Sequence, residues 1–325
     1  MGQLKGGGDL WITGIHTGMM SGRTPLGDIG NILKPNIGWK HGDKCKPVVS
    51  TAVLSPRVDV AHKRDQLYVV EYAQEIMEYL RDTEDKHWPS PDYMARQDDI
   101  NEKMRAILVD WLVDVHLKFK LLPETLYLAA SLIDRFLDQK TVTRQKLQLV
   151  GVVAMFIGAK YEEIYPPEIK DFIYISANTY TKDEIMRMER LMLTSLGFNI
   201  TVPTAYPFIK RSLQVINADR TSSLLALYIS ELALLDYSML VYLPSTVAAA
   251  CVYLARLILQ NPEPWNWTLE YYTRHAPQTL MPCVVQLYDL VQGARNHKCQ
   301  AIRKKYSYAK YGGVSAMTDV RLVFP

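Results

Sequence analysis

From Gln66 onward, apolar residues return every three or four positions almost without a break. In DQLYVVEYAQEIMEYLRDTE (65–84), Val69, Tyr72, Ile76, Tyr79 and Leu80 fall on one side of a helix. A polar, proline-marked loop follows, DKHWPSPDYMARQDD (85–99). Beyond it the same period predicts helices over about 102–120, 124–138, 143–159, 166–175, 182–196, 204–216, 221–236, 244–260, 266–273 and 279–296. Regularly alternating runs of the kind a half-buried strand needs are absent. The expected fold is all-α: two tandem five-helix bundles preceded by an N-terminal helix, with the seam near ITVPT, 200–204.

The residues between these segments agree with helix physics. Pro123, Pro167 and Pro244 are expected in first turns, where a missing N–H leaves no bond unmade. Thr181 and Glu184 have capping-box spacing, and Gly197 is placed to end a helix in the left-handed conformation. Residues 1–64 carry much of the glycine, several prolines and no sustained period, which predicts a disordered leader.

MRAILVDWLVDVH (104–116) holds more apolar residues than one buried face requires. Met104, Ile107, Leu108, Trp111 and Val115 form one stripe; Ala106, Val109, Leu112 and Val113 form another. Such a helix is either central to the fold or offers a second face to a partner.

Composition narrows the chemistry. Of 325 residues, 48% are hydrophobic and 22% charged, and the net charge is only +3, so the strong basic excess of a dedicated nucleic-acid binder is missing. Cys45, Cys251, Cys283 and Cys299 form no CxxC pair, which points to a reducing compartment and to no zinc knuckle. Residues 1–22 contain no continuous apolar core, so no secretory signal is expected. The longest apolar runs, 149–159 and 247–255, fall short of the roughly 18–20 residues a bilayer needs and read as core helices. No phosphate-cradling glycine loop, GxSxG or HExxH occurs, and the seven histidines are dispersed. These features favour a binding module over an enzyme, with no metal, cofactor, membrane or nucleic acid.

MRAILVDWLVDVH, ETLYLAASLIDRFL, KLQLVGVVAMFIGAKYEEIYPPEI and TYTKDEIMRMERLMLTSLGFNI together resemble a first cyclin box, and most closely that of B-type, G2/mitotic-specific cyclins. SSLLALYISELALLDYSMLVYLPSTVAAACVYLARLIL is similar to a second box, and AIRKKYSYAKYGGVS to the segment beyond it, where the basic RKKYSYAK (303–310) reads as a solvated tail. The resemblance implies a leader over 1–64, a first box with its preceding helix over 65–200, a second box over 201–315 and a tail over 316–325. It implies a regulatory subunit, without catalysis of its own, that binds and activates a mitotic cyclin-dependent kinase, at home in nucleus and cytoplasm. An A-type or other cell-cycle cyclin is the alternative within the family; a transcription-factor-like scaffold of paired cyclin folds is the alternative outside it.

Residue roles follow from the same resemblance. Lys160 and Glu189 match groups that hydrogen-bond the kinase backbone beside its C helix; Tyr161, Leu193, Phe198 and Ile200 match apolar contacts around them, and Tyr72, Ile76 and Tyr79 those of the N-terminal helix. Met104, Ile107, Leu108, Trp111, Arg144, Leu147 and Gln148 match a patch that captures arginine–leucine motifs of substrates and inhibitors, with Asp114 attracting the motif's basic residue. Arg105 and Asp134 match an internal ion pair. In the leader, Arg23, Leu26, Ile29 and Asn31 have the form of a destruction box, the degron read by the anaphase-promoting complex, and Lys34, Lys40, Lys44 and Lys46 are candidate ubiquitin acceptors within a tether's reach.

Overall fold

A computed structural model describes residues 69–322 and 324 of the chain. Among these residues there are twelve α-helices and no strand: α1 (Ala73–Thr83), α2 (Glu102–Phe119), α3 (Pro123–Gln139), α4 (Arg144–Glu162), α5 (Ile169–Ile175), α6 (Lys182–Ser195), α7 (Ala205–Val215), α8 (Arg220–Leu235), α9 (Pro244–Ile258), α10 (Trp267–Thr273), α11 (Pro277–Gly293) and α12 (Ala301–Ser307).

Each half is organised around one buried helix. In the first, α4 packs on α3, α6, α2 and α5, and every residue from Leu149 to Ala159 is buried, which is why that run shows no polar face. In the second, α9 is surrounded by α7, α8 and α11. The α2 helix touches both halves, lying on α3 and α4 on one side and on α8 and α12 on the other. Its surplus of apolar residues therefore belongs mainly to a central helix. Close approach of α4 to α2 depends on Gly151, where a Cβ would stand 2.6 Å from Leu108 Cδ1.

Helix ends follow the expected chemistry with one exception. Asn101 caps α2 through Met104 N–H (3.1 Å). Thr181 and Glu184 form the capping box, and Pro123 and Pro244 open α3 and α9. Gly197 (φ +58°) turns the chain after α6, and Phe198 N–H reaches back to the Leu193 carbonyl at 2.9 Å. Pro167, in contrast, does not begin a helix. α5 starts at Ile169, because the Asp171 carboxylate accepts the Glu168 N–H (2.9 Å) and fixes the first turn there.

RKKYSYAK also differs from expectation. Much of it is α12, and Lys305 and Tyr306 are buried against Glu231 of α8: Lys305 Nζ donates to both carboxylate oxygens (2.6 and 2.8 Å) and Tyr306 OH to one of them (2.8 Å). A lysine this deep needs its counter-charge, and Glu231 supplies it from a distant part of the chain. Asp110 of α2 accepts the Ala301 N–H at the start of α12 (2.9 Å). Val320 and Leu322 are tied to α11, where Tyr288 OH donates to the Val320 carbonyl (3.1 Å) and accepts from Leu322 N–H (3.1 Å).

Candidate functional site

Among the described residues, two surfaces and one buried ion pair carry those singled out by sequence. On the first surface, Lys160 lies in the last turn of α4 and Glu189 on α6, and their side chains form an ion pair. The glutamate is nearly buried and the lysine largely open, so a buried acid presents a solvent-facing ammonium. Lys160 Nζ also stands over the Phe156 ring, 4.2 Å from its centroid, an arrangement that restricts it further. Tyr161 is exposed and hydrogen-bonds Thr201 through its hydroxyl. Phe198 projects into solvent from its left-handed position, while Leu193 and Ile200 are half-buried against the core.

Ile76 and Tyr79 are exposed on α1, a helix with no buried residue of its own, and Tyr72 is exposed at the position just before it. A cleft of about 350 Å³ joins this helix to the first surface: Ile76 and Met77 line it together with Tyr161, Ile200, Tyr206 and Lys210. Glu162 borders the same cleft, and burial, reinforced by Glu124 and Glu163, raises its pKa above the ordinary carboxylate value.

Sequence reasoning gave no role to Ile164 and Tyr165. They are 86% and 92% exposed in the loop after α4, close in the chain to Lys160 and Tyr161. Two large apolar side chains are thus left open to solvent just beyond the end of α4. The signal was present as an apolar pair held extended by Pro166 and Pro167.

On the second surface, Ile107 is 60% exposed, Met104, Trp111 and Gln148 are half-buried, and Asp114 is exposed. Leu108 and Leu147 differ from expectation: at 5% and 4% exposure they lie beneath the patch. Leu108 fills the space that Gly151 leaves open, so its side chain is used in helix packing. Arg144 is tied to Asp99, whose carboxylate takes both its backbone N–H (2.8 Å) and its guanidinium (2.7 Å).

Arg105 and Asp134 form the expected internal pair, with Nε to Oδ1 at 2.6 Å and Nη2 to Oδ2 at 2.7 Å. Tyr93 OH donates to the same carboxylate (2.9 Å), and Arg105 Nη1 donates to the Leu234 carbonyl of α8 (2.9 Å). Burial works against the charge on Arg105, but Asp134 more than offsets it and the net shift is upward. The pair thus links the two halves of the fold. Among the described residues no group of His, Cys, Asp and Glu could hold a metal ion, and no helix is long and apolar enough to cross a membrane. Arg23, Leu26, Ile29, Asn31, Lys34, Lys40, Lys44 and Lys46 lie outside the described residues.

Comparison with known proteins gives two adjoining family matches: the model described as "Cyclin, N-terminal domain" covers residues 75–201, and that described as "Cyclin, C-terminal domain" covers 203–320. Cyclin-B2-1 of Oryza sativa subsp. japonica is 44% identical over 255 residues, 78% of this chain and 61% of that protein. G2/mitotic-specific cyclin-2 of Medicago sativa is 43% identical over 254 residues, 78% of this chain and 77% of that protein. The chain spans about three fifths of the length of the first curated relatives it matches. Among solved structures, a viral cyclin from herpesvirus saimiri shares the fold, with a TM-score of 0.61 at 19% identity over 70% of this chain and 99% of that one.

Proposed function

This chain belongs to the cyclin family, with relatives of B type, and from that premise we propose that it binds and activates a mitotic cyclin-dependent kinase. One observation carries the reading: a single cleft joins the exposed α1 face to Tyr161 and Ile200, beside the Lys160–Glu189 pair. A partner helix laid here meets apolar contacts on both sides of a held ammonium and its carboxylate, the chemistry needed to grip backbone groups without reacting with them. Tyr72, Ile76, Tyr79, Leu193 and Phe198 extend the contact, and Ile164 and Tyr165 enlarge it. In a kinase, C-helix placement controls the Lys–Glu pair that positions ATP phosphates. A cyclin acts by favouring the conformation with that pair formed, supplying differential binding and no chemistry.

The patch around Met104, Ile107 and Trp111 recruits substrates and inhibitors through arginine–leucine motifs: apolar side chains receive the leucine, and Asp114 draws the arginine. The leader carries the destruction box at Arg23, Leu26, Ile29 and Asn31, through which the anaphase-promoting complex ends the activity at mitotic exit, and the chain works in nucleus and cytoplasm. Kinase activation is tested by histone phosphorylation on mixing with a mitotic kinase subunit. Lys160→Ala with Glu189→Ala is expected to reduce it at least tenfold, the scale of losing charge-assisted hydrogen bonds at an interface. Undiminished activation would place the kinase elsewhere on the molecule. Arg23→Ala with Leu26→Ala is expected to keep the protein present through mitotic exit; normal disappearance would remove the degron assignment.

A further inference from the structure

The α1 helix precedes the first bundle in the chain, yet its polar ties run to the second. Arg81 Nη1 donates to the Tyr272 carbonyl on α10 (2.8 Å), and Arg274, just after α10, pairs with Glu78. Beyond α1, Trp88 Nε1 donates to the Leu240 carbonyl (2.8 Å). The most enclosed tie is at Glu84, the residue that follows α1, which is only 6% exposed. One of its carboxylate oxygens accepts the Ser245 backbone N–H (2.8 Å) and the other the Ser245 hydroxyl (2.7 Å). His275 Nε2 lies 3.3 Å from that same hydroxyl.

Ser245 is the second residue of α9, so the carboxylate meets the end of a helix where free N–H groups point outward and the dipole favours negative charge. Burial raises the pKa of Glu84, and both bonds from Ser245 oppose that shift. An isolated helix of 11 residues is marginal in water, and α1 buries no residue completely. Its orientation therefore depends on what fastens it.

We infer that Glu84 is a positioning residue: by gripping Ser245 it fastens α1 to the second bundle and fixes the direction in which Tyr72, Ile76 and Tyr79 face the partner. The inference rests on the kinase-binding reading of α1 given above. It gives the second bundle a part in kinase binding beyond the Tyr206 and Lys210 side chains that line the cleft, as the fastening that orients α1. The competing role for Glu84 is plain capping of α9, and the two differ in which helix loosens when the carboxylate is lost.

The test uses the full chain with Glu84→Ala, read by amide hydrogen exchange across 73–83 and 244–258 and by titration with a mitotic kinase subunit. Exchange over 73–83 is expected to rise about tenfold and kinase affinity to fall about tenfold, the scale of losing hydrogen bonds to a charged group. Glu84→Gln keeps an acceptor for the Ser245 N–H and is expected to restore most of both; Ser245→Ala, which retains that N–H, is expected to show a smaller loss. Wild-type exchange over 73–83 in Glu84→Ala, or loosening confined to 244–258, would overturn the inference. If Tyr72→Ala with Tyr79→Ala leaves kinase affinity unchanged, the kinase reading of α1 fails instead, and the exchange data still decide whether Glu84 fastens the helix.

Discussion

Asp134 receives two bonds from the Arg105 guanidinium and one from Tyr93, in a seam closed to solvent. Asp134→Asn would leave that guanidinium buried beside a neutral amide, a change that costs about 3–5 kcal/mol. Thermal melts should show the midpoint lowered by on the order of 10 °C, given the usual scaling for a chain of this size; an unchanged midpoint would mean that the pair is not what joins α2 to α3. At this scale sequence was informative only where chemistry is local. Thr181 and Glu184 announce their capping box because they are three residues apart, whereas Arg105 and Asp134 are 29 apart and carried no signal besides family likeness. Lys305 was misread for the same reason, since its neutralising Glu231 lies 74 residues upstream.

Among elements, α2 was the ambiguous one. Two apolar stripes were legible, but periodicity does not say which faces a neighbouring helix and which faces water; contact with α8 and α12 decides it. What is left over is narrow, with Ile107 open and Met104 and Trp111 partly so, while Leu108 is spent in packing beneath Gly151. Met104→Ala with Ile107→Ala is accordingly expected to lower phosphorylation of substrates bearing an arginine–leucine motif about tenfold, the scale of removing part-exposed apolar contacts. Short peptides without the motif should be phosphorylated as before; equal loss on both would show a folding defect. Leu108→Ala should instead destabilise the fold by about 2–5 kcal/mol, seen in a urea transition.

For the whole molecule, helix order was legible as far as α11, because the amphipathic segments repeat their period over several turns; the seven-residue α12 was not legible. The association of α1 with the second bundle was not, since nothing local in EYAQEIMEYLRDTE names Tyr272, Arg274 or Ser245 as its partners. That placement, with α1 and the end of α4 sharing one cleft, turns scattered exposed residues into a continuous face for a partner. The most direct measurement is calorimetric titration of the full chain with a purified mitotic cyclin-dependent kinase subunit. A one-to-one complex with Kd below about 1 μM, a binding free energy beyond roughly 8 kcal/mol, weakened by Lys160→Ala with Glu189→Ala, is the expected result; no binding at ten times that concentration would leave this face without its proposed partner.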